Sequence, residues 1–408
     1  MLTEAVRLYG KKDLRLETFE LPKIKEDEIL FEVIVDSICM STYKIAIQGE
    51  EHKKIPNDIQ SKPVIVGHEI CGNLVSVGKK WREKYDVSQK YVIQPNIPKG
   101  TKYPGYSMEN CGGDATYIIL PSIIMEEDCL IPFSGDSYFE GALTEPLSCV
   151  IGAFNANYHR KKHTHHHDYG IKKGGNVLIM GGTGPMGLFG IDCAINHGHA
   201  PKNVVVTDID DTKLERAKKL YPGNDQTKVA YVNTKEIPNQ AAYLEEIIGG
   251  KYDDIFIFAP VEELIQVSDQ VLNDDGCLNL FAGPSNKDFS SKVNFYNVHY
   301  RNTHYAGTSG GTLSDAIDSI KLIERKKVDV SKVVTHVLGL EDAANVTLDQ
   351  VAIGGGKKLV YPHCEFPFAS LEELMAEDTP LAKILKKHDG LWSNEAEQYI
   401  LKHYRKRD

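Results

Sequence analysis

The sequence lacks any run of about 18 consecutive apolar residues, so no membrane-spanning helix is expected. Its opening residues, MLTEAVRLYGKKDLRLE, are charged throughout and have no apolar core of the kind a secretory signal needs, which points to a cytoplasmic protein. Positive charge is not in excess: 47 Lys and Arg stand against 57 Asp and Glu, a formal charge of −10. Such a surface repels phosphodiester backbones and excludes non-specific nucleic-acid binding. The eight cysteines, Cys39, Cys71, Cys111, Cys129, Cys149, Cys193, Cys277 and Cys364, include no C-x-x-C pair. They read as reduced thiols, and any metal site has to be assembled from residues distant in sequence. There is no internal repeat, and the one biased tract is YHRKKHTHHHDYG (158–170), which reads as an exposed loop.

What is present is an ordinary globular composition, 41% hydrophobic and 25% charged, over 408 residues. At roughly 150 residues per domain this length suggests two or three domains. Residues 1–150 are rich in short β-type runs broken by Gly and Pro, such as EILFEVIVDSICM (28–40), KPVIVGHEICGNLVSVG (62–78) and KYVIQPN (90–96). Runs of this kind without helical periodicity predict a partly open β-barrel. Across 151–309 strand-like runs alternate with helical stretches: NVLIMG then PMGLFGIDCAINHG, NVVVTDI then DDTKLERAKKLY, DDIFIFA then EELIQVSDQVLN. That alternation predicts a doubly wound parallel sheet, so the fold class is α/β. VNFYNVHY (293–300) alternates apolar and polar residues and reads as an edge strand. Residues 310–408 open with a helix at 313–326 and end in short amphipathic helices, the last with Ser393 as its cap.

The run NVLIM leads into GGTGPMG, where Gly182, Gly184 and Gly187 form G-x-G-x-x-G between an expected strand and an expected helix. Gly182 permits the tight turn, Gly184 admits a pyrophosphate to the backbone, and Gly187 allows close packing of helix on strand. Pro185 and Met186 belong to the same turn, at the helix N-terminus that faces the phosphate charge. The next strand, NVVVTD, ends in Asp208, which is placed to accept from ribose hydroxyls and to repel a 2′-phosphate. The expected cofactor is NAD(H).

Taken alone, His68 beside Glu69 is an ordinary surface pair and Cys39 an ordinary core thiol. Cys39, Gly67-His68-Glu69 and the segment GALTEPL (141–147) nevertheless occur in order ahead of the nucleotide motif. This arrangement resembles the zinc-dependent medium-chain dehydrogenases, and within them the polyol branch. The resemblance implies a GroES-like β-barrel catalytic domain, a Rossmann domain, and one catalytic zinc. Carried over by position, it implies that Cys39, His68 and Glu69 bind the metal. Glu145 then coordinates it or holds its water, and Ser41 is the catalytic hydroxyl of the proton relay. A thiolate, an imidazole and carboxylates suit tetrahedral zinc with one open position. Two departures stand out. Between 90 and 115 only Cys111 remains of a four-cysteine lobe, so no structural zinc is expected, and Thr42 and Lys44 replace an acid and the relay histidine.

The segments YGKKDLRLETFELP, QGEEHKKIP, EPLSCVIGAFNANY and NFYNVHYRNTHYAGTSGG resemble a sugar-phosphate-reducing offshoot of the same family, which implies a ketose phosphate as substrate and assembly into dimers or tetramers. A phosphate requires fixed cations or a nest of backbone N–H groups. Lys44, Lys53 and Lys54 offer the first, though lysines also make ordinary solvated faces. Thr308 and Ser309, in the glycine run 307–312 ahead of a helix, offer the second, though such a run also serves as a hinge. A dehydrogenase of free polyols and a non-catalytic nucleotide-binding relative remain as alternatives.

Overall fold

The computed structural model describes residues 1–196 and 198–406; His197, in the helical stretch expected after GGTGPMG, and the last two residues lie outside the described set. The chain forms two compact units. One comprises Met1–Glu145, Thr312–Glu324 and the chain from Val330 onward; the other comprises Pro146–Gly311 and Arg325–Asp329.

The first unit is built on antiparallel strands. Strand Ile29–Ser37 is buried along almost its whole length and pairs with Cys71–Val77 and Tyr117–Leu120. At its end, Asp36 and Ser37 pair with Val360 and Leu359 of the strand Lys357–Tyr361. These partners come from three remote parts of the sequence, so the ends of several strands meet at one place. Inside the sheet Ile29, Phe31, Val33, Ile65, Ile70, Tyr91 and Ile118 form one apolar cluster. The C-terminal segment supplies the helices Leu371–Ala376, Pro380–Lys387 and Asn394–His403, the last capped by Ser393 as expected. Trp392 is buried, its Nε1 donating to the Tyr361 hydroxyl at 2.8 Å.

The second unit carries six parallel strands: β1 (Asn176–Met180), β2 (Asn203–Asp208), β3 (Lys228–Asn233), β4 (Tyr252–Ile257), β5 (Leu272–Leu280) and β6 (His304–Ala306). They lie in the order β3-β2-β1-β4-β5-β6, the doubly wound arrangement. Val177, Leu178, Ile179 and Met180 are all fully buried, as a strand covered on both faces demands.

Two expectations are corrected here. VNFYNVHY does not form the edge strand. The Asn294 side chain accepts from the Tyr296 N–H at 3.0 Å and starts the helix Phe295–Tyr300, while β6 takes the sheet edge beside β5. The His-rich stretch is a hairpin, Tyr158–Arg160 against His167–Tyr169. Its tip is exposed but His159 is buried, with Nε2 3.1 Å from Asp254 Oδ1 and Nδ1 2.8 Å from the Asp275 carbonyl. Both ring nitrogens therefore donate. Burial alone would lower this imidazole's pKa, but the Asp254 carboxylate outweighs it and raises it.

Candidate active site

Cys39 follows the strand Ile29–Ser37 by two residues and is the first, non-helical residue of the helix Met40–Gln48. His68 and Glu69 immediately precede the strand Cys71–Val77, and Lys357 begins the strand that closes on the other side. One ligand atom from each of Cys39, His68 and Glu69 lies within 4.8 Å of the others, the one such group of three among the described residues. Gly67 makes this geometry accessible. It sits at φ +87°, and a Cβ there would stand 2.1 Å from Asp36 Oδ2 and 2.6 Å from the Asp114 amide nitrogen.

The acids behind the turn are part of the same construction. Asp36 Oδ1 accepts from the Glu69 N–H at 2.8 Å. Burial first, then the charges of Asp114 and Glu69, raise the Asp36 carboxyl well above its ordinary value, and burial raises Asp114 too. Two buried carboxyls this close disfavour ionising together, and the Glu69 N–H bond to Asp36 ties them to the turn.

Lys357 donates to Glu69 Oε1, and both side chains are almost wholly buried. Glu69 Oε2 is buried with no hydrogen-bond partner. Burial lowers the His68 pKa and keeps its ring neutral, with a lone pair available. At Nε2 it meets Ser41 Oγ and Tyr106 Oη, each at 3.2 Å. Tyr106 donates to Ser41 Oγ at 2.9 Å, and Ser41 in turn donates to Cys39 Sγ at 3.1 Å. Thr42 Oγ1 stands 3.5 Å from His68 Nδ1. Burial lifts the Glu145 carboxyl to about 7; the charge of His68 pulls it down, and those of Glu69 and Cys39 push it further up. Glu145 is thus within electrostatic reach of the three donors, though it is not one of the group whose ligand atoms lie within 4.8 Å of one another. One sulfur, one neutral imidazole and carboxylates, with an orphaned carboxylate oxygen among them, fit a zinc ion.

Of the expected substrate residues, Lys54 stacks on the aromatic ring whose hydroxyl meets His68 and Ser41. Its ammonium sits 4.6 Å above the Tyr106 ring and 4.9 Å above the Tyr103 ring. Burial and then Lys54, Lys53 and Lys44 lower the pKa of His52, so these three lysines lie around a neutral imidazole, with Lys53 exposed. Thr308 and Ser309 belong to the other unit. The helix Leu313–Glu324 behind them already has an acceptor at its start: Asp315 Oδ2 takes the Thr312 N–H at 2.9 Å and its hydroxyl at 2.7 Å. A carboxylate in that position disfavours a second anion, so the glycine run is a poor phosphate nest.

In the second unit the glycine turn follows β1, and Pro185 opens the helix Pro185–Asn196. A Cβ on Gly187 would lie 2.4 Å from the Gly182 carbonyl oxygen, whereas one on Gly184 would meet nothing within 4 Å. Close packing is thus required at Gly187, and open space stands before Gly184, where a dinucleotide phosphate fits. Met186 and Pro185 are partly buried beside it. Asp208 ends β2, and its Oδ2 accepts from the Thr183 N–H at 3.1 Å and the Thr183 hydroxyl at 2.5 Å. The acid is therefore pinned to the glycine turn.

Sequence reasoning missed Tyr106, Lys357, Asp36 and Thr183. Lys357 carried a signal, since two lysines open the apolar run KKLVY and both are buried. Tyr106 carried none.

A barrel with a thiol–imidazole–carboxylate cluster and a doubly wound sheet with a dinucleotide turn define a metal-dependent nicotinamide oxidoreductase. The zinc-binding dehydrogenase family profile matches residues 185–325. The chain is 50% identical over 404 residues to L-sorbose 1-phosphate reductase of Klebsiella pneumoniae, covering 98% of both chains. It is 41% identical to mannitol-1-phosphate 5-dehydrogenase of Aliivibrio fischeri, again over 98% of each. The crystal structure of 2R,3R-butanediol dehydrogenase from Bacillus subtilis superposes with a TM-score of 0.73 at 20% identity, over 88% of this chain and 99% of that one. The protein belongs to the zinc-dependent medium-chain dehydrogenases and is an enzyme of the alcohol and polyol dehydrogenase class. No helix among the described residues is long and apolar enough to cross a membrane.

Proposed function

We propose that the protein interconverts a ketose phosphate and a polyol phosphate, of the L-sorbose 1-phosphate to D-glucitol 6-phosphate type, with NAD(H) and one catalytic zinc. The observation that carries this reading is the convergence of Cys39, His68 and Glu69, with Lys54 over the Tyr106 ring whose hydroxyl meets His68. Cys39 and His68, with Glu69 or Glu145, would hold the metal. When bound, zinc polarises the substrate carbonyl as a Lewis acid and the nicotinamide supplies the hydride. Ser41 Oγ then delivers a proton to the substrate oxygen, and Tyr106 Oη, which already donates to Ser41, replaces it. Lys54 offsets the phosphate charge, with Lys44 and Lys53 adding positive charge around the neutral His52. Asp208 favours NADH over NADPH. Assembly as a homo-oligomer and a cytoplasmic location belong to the same reading.

The test compares each ketose with its phosphate ester in wild type, Cys39→Ala and Lys54→Ala. Cys39→Ala should lose bound zinc and turnover while still binding NADH. A charge-assisted contact contributes about 1.5–3 kcal/mol, so Lys54→Ala should lower kcat/KM for the phosphate roughly 10- to 150-fold and leave the free ketose unaffected. Lys53→Ala, altering an exposed side chain, should do much less. Equal wild-type activity on free sorbitol or fructose and on their phosphates would replace this reading with the free-polyol one.

A further inference from the structure

The helix Tyr138–Ala142 is only five residues long, yet it packs on the strand that follows Glu69 and leads in the chain to Glu145. At its far end Gly141 packs on Cys71, two residues beyond Glu69, so closely that a Cβ would lie 2.4 Å from the Cys71 sulfur. Three residues past its end comes Glu145, in the first turn of the helix Thr144–Ala156. So short a helix cannot hold its own position; propagation over one turn does not repay nucleation.

Its near end is held from outside. Lys90 donates to the carbonyls of Gly135 and Asp136, at 2.6 and 3.1 Å, just ahead of the helix. Glu397, from the C-terminal helix Asn394–His403, is completely buried and closes on the helix start. Its Oε2 accepts from the Tyr138 N–H at 2.6 Å and its Oε1 from the Phe139 N–H at 2.8 Å. The Tyr361 hydroxyl adds a third donor at 3.1 Å, itself receiving the Trp392 indole N–H. One carboxylate thus satisfies the first two free amides of this helix and fixes it against the sheet. An apolar residue in its place would leave these donors buried and unpaired, so the helix start depends on this carboxylate.

We propose that Glu397 is a positioning residue for the metal site, acting through the helix Tyr138–Ala142 on Glu145, and that this gives the C-terminal segment a part in metal binding. The inference rests on the reading of Glu145 as a metal-site acid. Partners of metal ligands typically carry about 10- to 100-fold in metal affinity.

The test titrates the metal-free protein with Zn2+ and measures kcat and KM separately, for wild type, Glu397→Gln, Glu397→Asp and Trp392→Phe. Glu397→Gln keeps the volume but turns an NH2 toward a backbone donor; Glu397→Asp keeps the charge but falls one methylene short. Either should weaken Zn2+ binding about tenfold or more and lower kcat with KM little changed. Trp392→Phe lowers the melting temperature through the same segment without touching the helix, and should leave Zn2+ affinity at the wild-type value. If the folded Glu397 variants bind Zn2+ as wild type does, or Trp392→Phe weakens it equally, Glu397 is a structural residue only. A wild-type protein that binds no Zn2+ would instead remove the reading of the site itself.

Discussion

The two units hold their functional residues in opposite ways. In the nucleotide unit the glycine turn, the following helix and Asp208 all belong to one strand–turn–helix–strand passage, and Thr183 joins the acid to the turn within it. In the barrel unit the site is gathered from Asp36, Cys39, His68, Glu69, Tyr106, Glu145 and Lys357, and most of its members are buried polar groups that depend on one another. A local motif leaves open space for its ligand. A site assembled from distant segments has none to spare, because each ligand rests on the next buried group.

A pair of glycine variants tests this difference most severely. Gly67→Ala drives a Cβ into Asp36 and Asp114 at a positive φ, and should destabilise the barrel unit by about 4 kcal/mol or more with loss of bound zinc. Gly184→Ala enters open space, and should change melting by no more than about 0.5 kcal/mol while weakening NADH binding. Calorimetry with and without cofactor reads both, and equal destabilisation would end the contrast.

Among the described residues, the nucleotide unit has a buried charged pair of its own, His159 on Asp254. Its folded pKa is raised, so its stabilisation is complete below the unfolded value of about 6.5 and fades as pH rises through the folded value. His159→Gln should therefore destabilise by on the order of 1.5–3 kcal/mol at pH 6, and less at high pH. Urea unfolding across that range checks it; a pH-independent loss would mean that the histidine acts by packing alone.

The smallest effect is expected at Asp208. Asp208→Ala should narrow the preference for NADH over NADPH by roughly tenfold, about 1.4 kcal/mol, with zinc content unchanged. A wild type that prefers NADPH would move the choice of cofactor to other residues.

Much of the nucleotide unit was legible because its rules are short-range: period, glycine spacing and a terminal acid. The edge strand was misread for the same reason, since six residues of alternating character suit a strand as well as a helix, and only the Asn294 cap decided. In the barrel, Cys39 and His68-Glu69 were visible as motifs, but Lys357 and Asp36 looked like an ordinary surface lysine and a strand-end acid. Their importance is set by which strand lies alongside, and the closing strand comes from near the far end of the chain.

By itself, then, the sequence determined the class of fold and the strand–glycine turn–helix passage, because residue type and spacing along one segment suffice for these; Cys39, His68 and Glu69 were named only through the family resemblance. Tertiary structure alone decided that Tyr106 meets Ser41, that Lys357 neutralises Glu69, that Lys54 stands over the Tyr106 ring, and that Glu397 accepts from the first amides of the helix leading to Glu145. Each of these depends on burial and on the pairing of remote segments. The cost of leaving a buried charge or amide unpaired, which selects such contacts, exists only once the chain has folded.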